Sequence, residues 1–227
     1  TLRWQRCSSI SGPMPDLGFI LPRTLVKVLQ LPNHIAASVV FDLEVTGKAN
    51  LPRTGPVVVA SNHLSHLDVP IVGTNLDRFI RFLAVDDLYG RSRAFDATLG
   101  FFGAIPLDRD GYPVRAMREA IDYLNSDHMV GVFPEGRRVE MWGVDPPKKG
   151  AAWLAWMSGA PLVPVAIHGT QDSLAPQARS FRRTAVRMWI DEPLWWYDYA
   201  DRIDPLQSMM ADWYEVVNAH LEPWRVS

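Results

Sequence analysis

The sequence predicts an α/β protein: a single domain with a mixed, mostly parallel central sheet flanked by helices, preceded by an amphipathic N-terminal helix. Two observations carry that expectation. Short apolar, β-branched runs alternate with helix-period segments through the middle of the chain, which is the pattern of βα units. The 227 residues fit one core, and no internal repeat, low-complexity tract or linker-like stretch divides them.

Composition supports a folded domain. Hydrophobic residues make up 48% of the chain and charged residues 21%, enough to fill a core and solvate a surface. The net charge of −2 and the absence of a long basic run with interleaved aromatics give no reason to expect a nucleic-acid partner. Cys7 is the single cysteine, so an internal disulfide is excluded and a reducing, cytosolic setting fits best.

In order, strands are expected over residues 39–45, 56–61, 79–84, 103–107, 129–133, 162–167 and 185–190. Helices are expected over 67–74, 91–99, 114–124, 151–158 and 205–221. The N-terminal apolar stretch 17–31 is interrupted by Pro22, Arg23 and Lys27, short of the roughly 18 to 20 residues a spanning helix needs. Its apolar positions Leu21, Leu25, Val28 and Leu29 recur at helical spacing beside basic residues. That suits either a helix lying in a membrane surface or an ordinary helix packed on the core. The first reading divides the chain into a membrane-associating segment, 1–34, and a catalytic domain, 35–227. The aromatic cluster Trp195, Trp196, Tyr197 and Tyr199 has the same two readings, an interfacial belt or a core edge packing its own rings.

Chemistry concentrates where the second strand ends, at Asn62-His63-Leu64-Ser65-His66-Leu67-Asp68. A histidine paired with an aspartate is the minimum for a base that takes a proton from an alcohol: the carboxylate fixes the tautomer and stabilises the imidazolium. In a continuous helix five residues apart means roughly 140° apart, so the pair meets only if His63 precedes the first helical turn. Two other readings compete. Ser65 and Asp68 have the spacing of a helix-capping box, and His63, His66 and Asp68 are potential metal ligands without a further strong ligand at a recognisable spacing.

Two more strand ends add to the set. Phe133-Pro134-Glu135-Gly136-Arg137-Arg138 combines a carboxylate, a glycine open to close approach and two guanidiniums. Arg109, after 103–107, can make a bidentate phosphate contact or a surface ion pair with Asp108 or Asp110.

Taken in order, Asn62-His63-x-Ser65-x-x-Asp68, Gly103 to Arg109, Phe133-Pro134-Glu135-Gly136 and Leu162-Val163-Pro164-Val165-Ala166 resemble the four blocks of the glycerolipid acyltransferase family, best known through the lysophosphatidic acid acyltransferases. The resemblance implies that His63 is the general base and Asp68 its orienting partner. It also implies that Arg109, Glu135, Gly136 and Arg138 bind the acceptor, and that Pro164 with its apolar neighbours shapes the acyl side. The implied partners are an acyl thioester donor, acyl-coenzyme A or acyl carrier protein, a phosphorylated lipid acceptor and a membrane surface. No cofactor and no metal is implied. The expected product is phosphatidic acid from 1-acylglycerol-3-phosphate, made by a peripheral or monotopic protein on the cytoplasmic face of a membrane. Glycerol 3-phosphate or another phospholipid or glycolipid is the alternative acceptor.

Two departures stand out. The third block commonly continues Thr-Arg-Ser where this chain has Arg137-Arg138-Val139. Many members also carry a lysine where this chain reads Val85-Asp86-Asp87-Leu88, which leaves Lys149 as a substitute. Two rival classes are a serine hydrolase using Ser65, which lacks the flanking glycines of a nucleophile elbow, and a non-catalytic module whose basic loops grip anionic headgroups.

Overall fold

Three segments, Val57–Ser61, Met129–Val132 and Leu162–His168, are almost continuously apolar, and their residues are buried on both faces as the centre of a parallel sheet requires. They form the middle of a sheet in a computed structural model that describes residues 41–85, 104–107, 114–173 and 183–224. The elements are β1 (Asp42–Thr46), β2 (Val57–Ser61), α1 (Asp68–Asn75), β3 (Ile80–Val85), β4 (Ile105–Leu107), α2 (Val114–Asn125), β5 (Met129–Val132), α3 (Gly150–Ser158), β6 (Leu162–His168), the single turn α4 (Thr170–Ser173), β7 (Ala185–Ile190) and α5 (Pro205–Leu221).

The seven strands lie in the order β1-β7-β6-β2-β5-β3-β4. Every neighbouring pair is parallel except β6 and β7. The expected α/β class with a mixed, mostly parallel sheet is therefore what the chain adopts, and the described strand and helix bounds fall within a few residues of those read from the pattern. The expected helix 91–99, the N-terminal segment 1–34 and Cys7 lie outside the described residues. Among the described residues no helix is long and apolar enough to cross a membrane.

Strand alternation sorts the apolar side chains into two layers. Val57, Val59, Val163, Val165 and Ile167 face α1, which presents Ile71 and Val72, with Leu76 just past its end. Val58, Ala60, Val130, Leu162 and Ala166 face the other way, toward α2, α3 and α5. Helix α5 starts at Pro205 behind Asp204, whose carboxylate accepts from Gln207 N at 3.0 Å, a proline and cap pairing suited to a helix start. Its Trp213 is wholly buried, and Nε1–H donates to the Ala60 carbonyl at 2.9 Å. One indole thus fills the core layer and bonds the strand that leads into the His63 loop.

Pro164 sits in a central strand without breaking it. It pairs with Ala60 on the β2 side, and on the other side the β6–β7 ladder begins only at Val165 and Ile190, so no ladder bond needs its missing N–H. The aromatic cluster is part buried and part exposed. Tyr199 is buried and its hydroxyl bonds Asp212 at 2.8 Å, whereas Trp195 and Tyr197 are exposed and stacked at 5.7 Å. The cluster lies beside Leu194, which bridges to Leu162 at the start of β6.

Trp213→Phe is expected to keep most of the buried area while losing the bond to Ala60. The loss should be about 1 to 3 kcal/mol of unfolding free energy, measured as a lower urea midpoint at unchanged slope.

Candidate active site

β2, β5 and β6 run side by side in the same direction, so their carboxyl ends share one edge of the sheet, where α/β folds place their ligand sites. The last paired residue of β2 is Ser61. One position on, the Asn62 side chain stands in for a peptide: its Nδ2 donates to Ile167 O at 2.9 Å and its Oδ1 accepts from Ile167 N at 2.8 Å. The side-chain pairing holds the strand end to β6 while the backbone of Asn62 is free to turn out of the sheet. His63 follows on that turn.

Helix α1 begins at Asp68, so His63 lies ahead of the first turn, as the pair requires. Its Nδ1 is 2.8 Å from Asp68 Oδ2. The same oxygen accepts from Leu64 N and Ser65 N, each at 2.7 Å. The other oxygen, Oδ1, accepts from Thr170 Oγ1 at 2.6 Å. Asp68 is wholly buried, and these four donors are what make a buried carboxylate tolerable. One carboxylate thus ties the loop amides ahead of α1, whose N-cap is Leu67, and orients the imidazole. With Nδ1–H assigned to that contact, Nε2 carries the lone pair, and it has no hydrogen-bond partner among the described residues.

Thr170 is a site residue that sequence reasoning missed, since a lone threonine 102 positions from its partner gives no local signal. Its place depends on Gly169, which turns with φ of 91°; a Cβ there would fall 2.0 Å from Ala185 O. The tight turn after β6 brings α4, and Thr170 with it, against Asp68.

The loop after β5 closes around the His63 peptide from both sides. Glu135 Oε2 accepts from His63 N at 2.8 Å, and Val139 N donates to His63 O at 2.9 Å. The Phe133 ring stacks on the imidazole, with centroids 4.0 Å apart, and on Phe82 at 5.5 Å. Phe82 in turn lies over Gly131, where even a methyl would meet its ring at 2.4 Å. Bonds to the His63 peptide, the Asp68 contact at Nδ1 and the Phe133 stack on one face therefore fix the imidazole, with Nε2 left without a hydrogen bond among the described residues.

Glu135 is buried and its Oε1 has no hydrogen-bond partner among the described residues. Burial pushes its pKa to about 8; the His63 amide pulls it down, and Asp68 and Asp145 push it up. At neutral pH the side chain is mostly protonated, so Oε1 can carry an O–H beside His63, and the loop brings no second full negative charge next to Asp68.

The remaining sequence candidates fall as follows. Gly136 follows Glu135 with φ of 72°. Arg138 is half-buried in the same loop, whereas Arg137 is exposed and forms two bonds to Asp145, at 2.6 and 3.0 Å. Pro164 is buried within β6, two positions before Ala166. Arg109 lies outside the described residues. Lys149, the substitute for the absent lysine, is paired with Asp204 at 2.6 Å, stitching α3 to the start of α5. Ser65 Oγ accepts from Leu67 N at 3.3 Å and makes no hydrogen bond to His63, so the hydrolase arrangement is not formed. Among the described residues no group of three or more His, Cys, Asp or Glu side chains gathers to hold a metal, and both Asp68 oxygens are already occupied by donors.

A buried carboxylate orienting a histidine at the carboxyl edge of a parallel sheet agrees with what the chain is similar to. The acyltransferase family model matches residues 42–168, and the chain belongs to that family. Over 182 residues it is 29% identical to the 1-acyl-sn-glycerol-3-phosphate acyltransferase of Bacillus subtilis (strain 168), covering 79% of this chain and 86% of that protein. It is 33% identical over 141 residues to the 1-acyl-sn-glycerol-3-phosphate acyltransferase alpha of Mus musculus, covering 61% of this chain and 50% of that one, so it spans about half the length of the mouse protein. Its fold superposes on the crystal structure of the 1-acyl-sn-glycerophosphate (LPA) acyltransferase PlsC from Thermotoga maritima with a TM-score of 0.75 and 25% identity, over 90% of this chain and 82% of that one. The family resemblance read from the four sequence blocks is borne out.

Thr170→Val keeps the shape and removes the hydroxyl donor from a buried carboxylate. It should cost about 1.5 to 3 kcal/mol of stability, and Thr170→Ser should recover most of it, both read from urea unfolding.

For Glu135 the raised pKa means the native state binds a proton that the unfolded chain releases. Its contribution to stability is therefore full below pH 4.5 and is lost as pH rises toward about 8. Relative to Glu135→Gln, which cannot ionise, the wild type should lose stability by up to about 1.4 kcal/mol per pH unit across that window and level off above it, followed by unfolding at stepped pH.

Proposed function

We propose that this protein transfers a fatty acyl group from an acyl thioester to the hydroxyl of 1-acylglycerol-3-phosphate, giving phosphatidic acid in phospholipid synthesis. The observation that carries this reading is the His63–Asp68 pair with Nε2 left open at the carboxyl edge of the sheet, in a chain of the acyltransferase family. The names of its relatives support the acceptor.

In this mechanism His63 Nε2 takes the hydroxyl proton as the acceptor oxygen attacks the thioester carbonyl carbon. The C–O bond forms, the tetrahedral intermediate collapses with cleavage of C–S, and the departing sulfur takes the proton back from the imidazolium. Asp68 holds the ring in the tautomer that presents Nε2 and stabilises the cation formed midway. The thiol carrier is coenzyme A or acyl carrier protein, and no acyl-enzyme is formed. Glu135, Gly136 and Arg138, with Arg109, bind the acceptor, and the apolar stretch around Pro164 shapes the acyl side. The acceptor is an amphiphile delivered from a bilayer, so the enzyme works as a peripheral protein on the cytoplasmic face.

The test is transfer from palmitoyl-coenzyme A to 1-acylglycerol-3-phosphate, with glycerol 3-phosphate as the competing acceptor. Transfer to the first, reduced about 10² to 10⁴-fold in turnover by His63→Ala with acceptor KM little changed, is the expected result. Near-normal turnover in His63→Ala would overturn the mechanism. Transfer to glycerol 3-phosphate alone would reassign the acceptor, and vesicle binding with no transfer to either would make the chain a binding module.

A further inference from the structure

The departures from the family pattern leave open which cations beside His63 meet the charged end of the acceptor. Three basic side chains surround the loop after β5 on exposed surface. Arg137 is committed to Asp145 by two bonds, and Lys149 to Asp204 by one. The Lys148 ammonium has neither a hydrogen bond nor an ion pair among the described residues; its charge reaches Asp145 only as the smallest of the influences on that carboxyl.

Its position is nonetheless fixed at the backbone. Lys148 N donates to Pro134 O at 2.8 Å, so the chain returning from residues 139–147 lies against the turn 133–136. From there the side chain runs across Gly136. A Cβ built on that glycine would stand 2.5 Å from Lys148 Nζ, 3.0 Å from Cε and 3.2 Å from Cδ. The ammonium therefore lies against the bare Cα of Gly136, the residue that follows Glu135 in the chain. Gly136 serves two requirements at once: its φ of 72° is left-handed, and its missing side chain is the space the lysine uses.

We propose that Lys148 is a further acceptor-phosphate cation of this enzyme, acting with Arg109 and Arg138: its ammonium, laid across Gly136, binds the phosphate of the acceptor. This rests on the acyl-transfer reading above. No partner among the described residues has to be displaced from this ammonium when a dianion binds, and a lysine acts there as a point charge without the planar geometry a guanidinium demands. It also accounts for a basic side chain at the site when the usual lysine after the third strand is absent and Lys149 is engaged elsewhere.

The experiment is steady-state transfer by the full chain with 1-oleoylglycerol-3-phosphate, and with uncharged monooleoylglycerol as a phosphate-free acceptor. It compares wild type, Lys148→Met, Lys148→Arg and, as a charge-loss control at the opposite edge of the sheet, Lys48→Ala. Lys148→Met keeps the stem that covers Gly136, and a melting temperature matching wild type confirms folding. The proposal expects Lys148→Met to raise the KM for the phosphorylated acceptor at least tenfold. Lys148→Arg should raise it less than threefold, with the KM for palmitoyl-coenzyme A within twofold in both and the wild-type preference over monooleoylglycerol reduced. An unchanged acceptor KM, a rise confined to the thioester donor, or an equal effect of Lys48→Ala would overturn it. Failure of the wild-type protein to acylate either acceptor would instead refute the acyl-transfer reading, a result the variants cannot mimic.

Discussion

The site depends on one buried charge. Asp68 is wholly withdrawn from water, and a bare carboxylate in that position would cost several kcal/mol. Four donors from three places meet it: two loop amides, the imidazole and a threonine from beyond β6. Each donor is thereby fixed, so the requirement to satisfy the carboxylate is also what shapes the loop, aims the ring and docks α4. The rest of the architecture follows from supplying those donors at one edge of the sheet.

The surrounding contacts share a feature. Asn62 replaces a backbone pair with its own amide, Glu135 replaces a backbone acceptor for His63 N, and Trp213 reaches across the core to Ala60 O. For Asn62 and Glu135 a side chain takes over where the regular ladder stops, because the strand end must leave the sheet to build a site and its peptide groups still need partners, while Trp213 adds a bond one residue before that end. That is a physical reason for polar and aromatic residues at a strand terminus whose preceding residues are uniformly apolar.

Much of this was legible in the sequence, and the parts that were not have a common cause. Strand and helix periods placed β2, β5, β6, β7, α2, α3 and α5 to within a few residues, because uninterrupted apolar runs and amphipathic spacing are local. The His63–Asp68 pairing was also legible, since a five-residue separation after a strand leaves few geometries in which the two meet. Thr170 was not: its role exists only because β6 lies next to β2, and nothing in Gly169-Thr170-Gln171 encodes that neighbour. The choice between Lys148 and Lys149 was equally hidden. Adjacent lysines look alike in sequence, and only the bond from Lys148 N to Pro134 O and the nearness of Asp204 to Lys149 separate them.

The threonine contact carries a consequence for how the molecule comes into being. His63 and Asp68 are neighbours from the moment both are synthesised, but the last donor to the carboxylate arrives 102 residues later. The strand that delivers it, β6, pairs directly with β2 although β3, β4 and β5 come between them in the chain, a non-local pairing of the kind that forms slowly. A growing chain therefore holds His63 and Asp68 close in sequence but wet and loosely aimed, and the pair is buried and oriented only when the far side of the sheet closes.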